Sequence, residues 1–166
     1  AIMIAWFPGS EGGNALADLL MGESEPQGRL AMSFPRAEGQ LPLTYAQLST
    51  GRPLTEENSD QKYISRYMDE KNEPLFSFGS GIGYSKCTIT HTQIIIPQEK
   101  GAPFEISCTL KNEGDVPHTT TLQLYSRDDV TEVARPMREL KQWRKIHLAA
   151  AEERQHSFYV TPEDFA

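Results

Sequence analysis

Among the paired acids are Glu56-Glu57, Asp69-Glu70, Asp128-Asp129 and Glu152-Glu153. A pair of carboxylates can cleave a glycosidic bond, one acid protonating the leaving oxygen while the other attacks or activates water. That chemistry needs the two groups about 5–9.5 Å apart, on separate elements that flank the scissile bond. Neighbours in sequence on a strand point to opposite faces, so these four pairs read as solvated turns. The histidines, His91, His118, His147 and His156, show no metal-ligand spacing and read as strand or surface residues. Neither Ser10 nor Ser80 is centred in a G-x-S-x-G elbow.

The glycine loop Gly9-Ser10-Glu11-Gly12-Gly13 invites comparison with phosphate loops. Those need a Lys for the phosphates and a following Ser or Thr for magnesium. Here an acid and then Asn14 occupy the loop, and a carboxylate repels phosphate. A second reading places Trp6 and Glu11 at the carboxyl end of a buried strand, facing a ligand crevice, where open α/β sheets put their sites. These two are the candidate substrate-binding residues. Aromatic and basic side chains also cluster in Lys62-Tyr63-Ile64-Ser65-Arg66-Tyr67-Met68-Asp69. Tyr63 and Tyr67 have faces that stack on sugars and Arg66 has donors, but the preferred reading is that they pin this stretch to its neighbour. The residues by themselves assemble no complete active site, no metal site and no cofactor site.

The elements that position these residues fall into two textures. Ala1–Phe7 is an unbroken apolar run like a buried strand, the glycine loop makes a tight turn, and Asn14–Met21 follows as a short helix. Asn14 is the expected N-cap, with Leu16, Leu19 and Leu20 on one face and Gly22 as the stop. Strand, loop and helix form half of a βαβ unit. From Gly22 to about Ser80 the chain is rich in Pro and Gly with little periodicity, which predicts a long ordered connector rather than a free loop. From Tyr84 onward short strands are expected at Ile89–Ile96, Phe104–Lys111, Thr119–Ser126, Leu140–Leu148 and His156–Val160, with Asn112-Glu113-Gly114-Asp115 as a turn. Five strands without intervening helices indicate an antiparallel sandwich, two short of the usual seven.

The chain holds 166 residues, with 16 basic and 23 acidic side chains and a net charge of −7. An excess of acid argues against nucleic acid as a partner, because phosphate contacts need clustered Lys and Arg. The longest apolar runs fall well short of the ~20 residues of a membrane-spanning helix. Cys87 and Cys108 make no disulfide framework, and a bridge between them requires neighbouring strands to bring them within ~7 Å. Cys108 sits on the apolar face of its strand and reads as core. A buried strand at the first residue, and the helix start Thr161-Pro162-Glu163-Asp164 just before the last, predict a piece of a longer protein.

Several ordered runs carry a resemblance. Ala5-Trp6-Phe7-Pro8-Gly9-Ser10-Glu11-Gly12-Gly13-Asn14-Ala15-Leu16-Ala17-Asp18-Leu19-Leu20-Met21-Gly22 resembles the end of the second domain of glycoside hydrolase family three β-glucosidases. Glu25-Pro26-Gln27-Gly28-Arg29-Leu30 and Met32-Ser33-Phe34-Pro35-Arg36 are similar to the family's N-P-S-G-K-L-P-x-S-F-P. Pro74-Leu75-Phe76-Ser77-Phe78-Gly79-Ser80-Gly81-Ile82-Gly83-Tyr84 resembles the run that opens its fibronectin type III-like domain. Lys62 to Tyr67 and Arg135-Pro136 through Leu140-Lys141 continue the likeness, in the order seen in bacterial periplasmic β-glucosidases.

The resemblance implies an α+β fragment: the end of an α/β sandwich domain over 1–48, an interdomain connector over 49–78, and a truncated immunoglobulin-like β-sandwich over 79–166. It implies a parent that removes terminal β-D-glucosyl units with retention, periplasmic or secreted, with no cofactor. Its nucleophilic Asp lies on a barrel before Ala1 and its acid/base Glu also lies upstream. No acid here matches either motif, so no catalytic residue is assigned and the chain alone is expected to be inactive. Ala149-Ala150-Ala151-Glu152-Glu153 stands where a Pro-Gly turn is usual, leaving the geometry of that expected hairpin open. The missing last strands predict an open sheet edge and dimerisation or strand exchange with a second copy. The alternative is a stand-alone interaction or carbohydrate-binding module without chemistry.

Overall fold

Alternation of apolar and polar side chains builds the second half of the chain. In the computed structural model, which describes residues 2–130 and 132–165, five strands form: β1 (Cys87–Ile95), β2 (Phe104–Asn112), β3 (His118–Ser126), β4 (Glu139–Leu148) and β5 (Glu153–Val160). They pair antiparallel in two sheets, β1-β2-β5 and β3-β4. Cys108, Leu110 and Phe158 from one sheet meet Leu122, Ile146 and Leu148 from the other, with Cys87 and Leu124 at the margin. Each such side chain, taken out of water, stabilises the fold by roughly 1.5–3 kcal/mol. Both cysteines are free.

The sandwich is closed on one side and open on the other. On the closed side Gln142 donates to the Tyr159 carbonyl at 2.6 Å and the Arg144 guanidinium lies over the Phe158 ring. On the open side Ile89 pairs with Leu110 and Ile94 with Ile106, so these isoleucines share the face of the core residues. They are nevertheless 57% and 63% exposed, because the facing sheet has only two strands.

The turn from β4 to β5 differs from the expected hairpin. β4 belongs to one sheet and β5 to the other, so residues 149–152 form an arch between sheets. Ala151 takes a left-handed φ of 55° and donates its N–H to the Gly114 carbonyl at 3.0 Å. Buried Asn112 ties this arch down. Its Nδ2 donates to the carbonyls of Val116 (2.8 Å) and Ala149 (2.9 Å), and its Oδ1 accepts from Gly114 N–H and the Ser85 hydroxyl.

The Pro- and Gly-rich stretch is ordered and lies against β3 and the residues just before β4. It is stitched by isolated bridges between Phe34 and Phe76, Leu48 and Pro136, and Pro53 and Ser65. Tyr45 stacks on Phe78 at 4.0 Å and meets Tyr125 of β3 edge-on. Buried Gln40 accepts from Arg36 N–H at 2.6 Å and donates to the Lys71 and Glu73 carbonyls. Backbone groups inside a loop need such partners where water is excluded.

Two expectations for the first half are corrected. The apolar run Ala1–Phe7 predicts a buried strand, yet residues 2–7 form none; Ala1 lies outside the described residues. A strand exists only when a neighbour takes its N–H and C=O groups, and no described segment does. Ile2 and Phe7 are exposed and Ile4 is half-buried. The helix α1 spans Gly12–Met21, with Glu11 rather than Asn14 at the N-cap position. Gly22 ends it in the left-handed conformation (φ 82°), as expected.

Candidate functional site

The turn between residues 6 and 11 is shaped by its small residues. Gly9 takes a φ of 72°, and the Gly12 N–H donates to its carbonyl at 3.2 Å. The Pro8 ring lies so close to Gly12 that a side chain there would collide at 2.6 Å. The turn therefore presents Trp6 and Glu11 from a fixed backbone.

Trp6 is 57% exposed and sits at a left-handed φ of 48°, a conformation that strains a bulky residue. Its ring tilts against Phe34 at 6.4 Å, and Phe34 meets Phe76 edge-on at 6.4 Å. The Phe34–Phe76 bridge fixes that pair, with Phe34 N–H donating to Phe76 at 2.8 Å. One face of the indole is thus buttressed and the remainder faces solvent. Aromatic faces of this kind suit the C–H surface of a sugar ring.

Glu11 is exposed, and its carboxylate accepts from the Asn14 side-chain amide at 2.8 Å. Asn14 lies inside the helix and is engaged by Glu11 instead of capping it. Among the described residues no hydrogen bond or ring contact joins Trp6 to Glu11. The arrangement offers a stacking face and a hydrogen-bond acceptor, and no nucleophile–base pair.

The remaining candidates are placed as follows. Glu56 and Glu57 lie in a 3-10 turn (Glu56–Asn58), and Asp69, Glu70, Asp128 and Asp129 are exposed. Glu152 differs, because its carboxylate takes the Ala149 N–H at 2.7 Å and the Arg154 guanidinium, contacts that hold its carboxyl below the ordinary range. In the aromatic cluster Tyr67 donates to the Gln40 carbonyl and so pins the connector to its neighbour, as expected, whereas Arg66 donates to the Ser59 carbonyl within the connector itself. Tyr63 does not; it is 81% exposed at φ 64°. His91, His147 and His156 lie on strands, and no group of three metal-ligating side chains occurs among the described residues.

Sequence reasoning missed one polar centre. Glu25, standing where the family pattern has Asn, is largely buried and receives the Nδ1–H of His118 at 2.9 Å and the Thr119 N–H. The Thr119 hydroxyl in turn lies 3.1 Å from His147 Nδ1. Gly83 passes so close to the His118 ring that any side chain there would collide with it. The signal was the departure itself: a carboxylate where the family run has a neutral Asn.

Comparison with known proteins matches residues 1–84 to the glycosyl hydrolase family 3 C-terminal domain and residues 120–166 to a fibronectin type III-like domain. A periplasmic β-glucosidase of Salmonella typhimurium is 42% identical over 98% of this chain and 21% of its own length. A β-glucosidase of Bacteroides ovatus is 34% identical over 98% of this chain and 22% of its own. The crystal structure of a β-glucosidase from Listeria innocua superposes with a TM-score of 0.89 at 41% identity, covering 96% of this chain and 22% of that one. The chain thus spans about a fifth of the length of the relatives it matches. With half its residues matched by the family's C-terminal domain and its fold shared with family members, the chain belongs to glycosyl hydrolase family 3.

Proposed function

We infer that this chain is the C-terminal part of an exo-acting, retaining β-glucosidase that hydrolyses terminal β-D-glucosyl residues. The observation that carries the reading is likeness along almost the whole chain to proteins named β-glucosidases, of which it spans about one fifth. Residues 1–48 then close an α/β sandwich domain, residues 49–78 connect, and residues 79–166 are the fibronectin type III-like part. The exposed Ile2–Phe7 segment takes its strand partners from that first domain. The Asp nucleophile and the Glu acid/base are supplied by an N-terminal barrel and its neighbour outside this sequence.

Within this arrangement Trp6 and Glu11 form part of the rim of the glucoside site, with the indole face stacking on sugar and the carboxylate accepting a sugar hydroxyl. Retention follows from two carboxyl groups about 5–5.5 Å apart, one of them attacking the anomeric carbon. A periplasmic location accords with the name of the Salmonella relative. A second copy of this chain is the expected partner at the open sheet edge.

An aryl β-glucoside assay tests the reading. The 166-residue chain alone is expected to release no aglycone, and co-expression with the N-terminal part of the Salmonella relative is expected to restore release. Turnover by this chain alone, or none after co-folding into a stable complex, overturns it.

A further inference from the structure

Among the described residues, helix α1 is held by its ends more than by its face. Of its ten residues only Gly12 is buried; Leu16 and Leu19 are half-buried, and Leu20 and Met21 are exposed. Its N-terminal end continues from the turn that presents Trp6 and Glu11, where Pro8 packs on Gly12. Its C-terminal end is wrapped by the chain that follows: the N–H groups of Gly22, Glu23 and Ser24 converge on the Asp18 carbonyl. The next residue is Glu25.

Glu25 fastens that end to the fibronectin type III-like part. Its side chain is 14% exposed and that of His118 3%, so water competes little for the hydrogen bonds between them. The carboxylate accepts from His118 Nδ1–H at 2.9 Å and from the Thr119 N–H. Both donors begin β3, whose Leu122 lies in the core. Gly83 backs the His118 ring too closely for any side chain. The Tyr84 hydroxyl adds a second tie by donating to the Leu19 carbonyl. At the other end of the helix, Trp6 keeps a left-handed φ of 48°. A strained conformation persists only where its surroundings fix it.

We propose that Glu25 and His118 are positioning residues for the Trp6–Glu11 rim, acting through α1. This rests on the reading above that the rim contacts the glucoside. A ten-residue helix is a stiff rod about 15 Å long. Releasing its far end lets the near end tilt, and the stacking face and the carboxylate move with it. A misplacement of about 1 Å is enough to cost binding or rate. The carboxylate at position 25, where the family run has a neutral Asn, makes the tie a charge-assisted one.

Tryptophan quenching and kinetics test this together. The chain has two tryptophans, so Trp143→Phe leaves Trp6 as the sole reporter of the turn. In that background Glu25→Ala is expected to raise the acrylamide quenching constant of the folded chain, by up to about twofold for a residue now 57% exposed. His118→Ala should do the same and the double variant add nothing further, because both remove one tie. A residue that only braces the fold would lower the melting temperature and leave quenching of the folded state alone. In the co-expressed complex Glu25→Ala is expected to raise KM for an aryl β-glucoside about threefold to tenfold with kcat little changed. Where an alanine variant loses its cooperative melt, Glu25→Gln and His118→Asn decide. Each keeps one hydrogen-bonding group of the tie, and each should show a smaller change in the same direction.

Unchanged Trp6 quenching in the folded variants overturns the proposal. So does a KM that Trp6→Ala raises and Glu25→Ala does not; either result leaves the proposed function standing. A KM moved by neither removes the rim and this inference together. If the complex restores no hydrolysis, the proposed function falls, and quenching still decides whether the tie reaches Trp6.

Discussion

The Nδ1–H of His118 meets the carboxylate of Glu25 at 2.9 Å, joining the loop after α1 to the first residue of β3. Burial raises the Glu25 pKa, but the hydrogen bonds from His118 and Thr119 outweigh it, so the net shift is downward. A folded-state pKa below the unfolded value means that the contact stabilises above the ordinary carboxylate range and is lost as pH falls through the folded value. Glu25→Gln is therefore expected to be less stable than the parent by about 1–3 kcal/mol at pH 7. The gap should close below about pH 4, near the unfolded carboxylate value. Thermal melts at a series of pH values check it; a gap that does not shrink in acid contradicts the assignment.

Asn112 holds the arch between the two sheets by donating twice and accepting twice while fully buried. Asn112→Ala leaves two carbonyls and a backbone N–H short of partners, at a cost of roughly 3 kcal/mol. Asn112→Asp is expected to be worse than Asn112→Ala, because a carboxylate oxygen then faces the Val116 and Ala149 carbonyls. Urea midpoints of the two variants give the order directly.

His156 presents a buried Nε2 with no hydrogen-bond partner among the described residues, and its ring meets Phe158 edge-on at 5.4 Å. Burial first, and then the nearby Arg144 charge, lower its pKa. The fold thus favours neutral imidazole; its contribution is present above the unfolded value of about 6.5 and is lost as pH falls through the folded value. His156→Phe should flatten the loss of stability in this range. Parallel slopes for the variant and the parent between pH 7 and pH 5 would dismiss the idea.

Ala151 occupies the left-handed region at φ 55° in the inter-sheet arch. A side chain there costs about 1 kcal/mol that glycine avoids, partly offset by the greater freedom of glycine in the unfolded chain. Ala151→Gly should raise the melting temperature slightly. Ala151→Val should lower it by several degrees, since β-branching deepens the clash. Differential scanning calorimetry of both variants tests the sign.

The strands were legible where one face is buried and the other wet. Phe104 to Lys111 alternates cleanly, and the structure extends it by one residue to Asn112. A related logic misplaced Ala1–Phe7, since an unbroken apolar run records a preference for neighbours and not whether neighbours are there. Asn14 looked like a cap because capping is a local rule, whereas its amide is engaged by Glu11. Long-range polar centres were the least legible. Gln40 reaches Lys71 and Glu73 over 31 and 33 residues, and Glu25 reaches His118 over 93, distances at which no local pattern carries a signal. In the candidate site Trp6 and Glu11 were found from their place after an apolar run, but the Phe34 and Phe76 buttress came only from the fold.

That buttress separates two outcomes for Trp6. The indole touches Phe34 on one side and is otherwise open, so Trp6→Ala removes little buried surface and is expected to shift the unfolding midpoint only slightly. If the exposed face stacks on a sugar, the same change should raise KM for an aryl β-glucoside by about tenfold in the co-expressed complex, consistent with 1–1.5 kcal/mol for an aromatic contact. Glu11→Gln keeps the acceptor for Asn14 and should leave the turn intact while weakening a hydroxyl contact. A KM unchanged by Trp6→Ala in a stable, active complex removes this residue from the rim, since a residue that only braces the fold would move stability first and KM not at all.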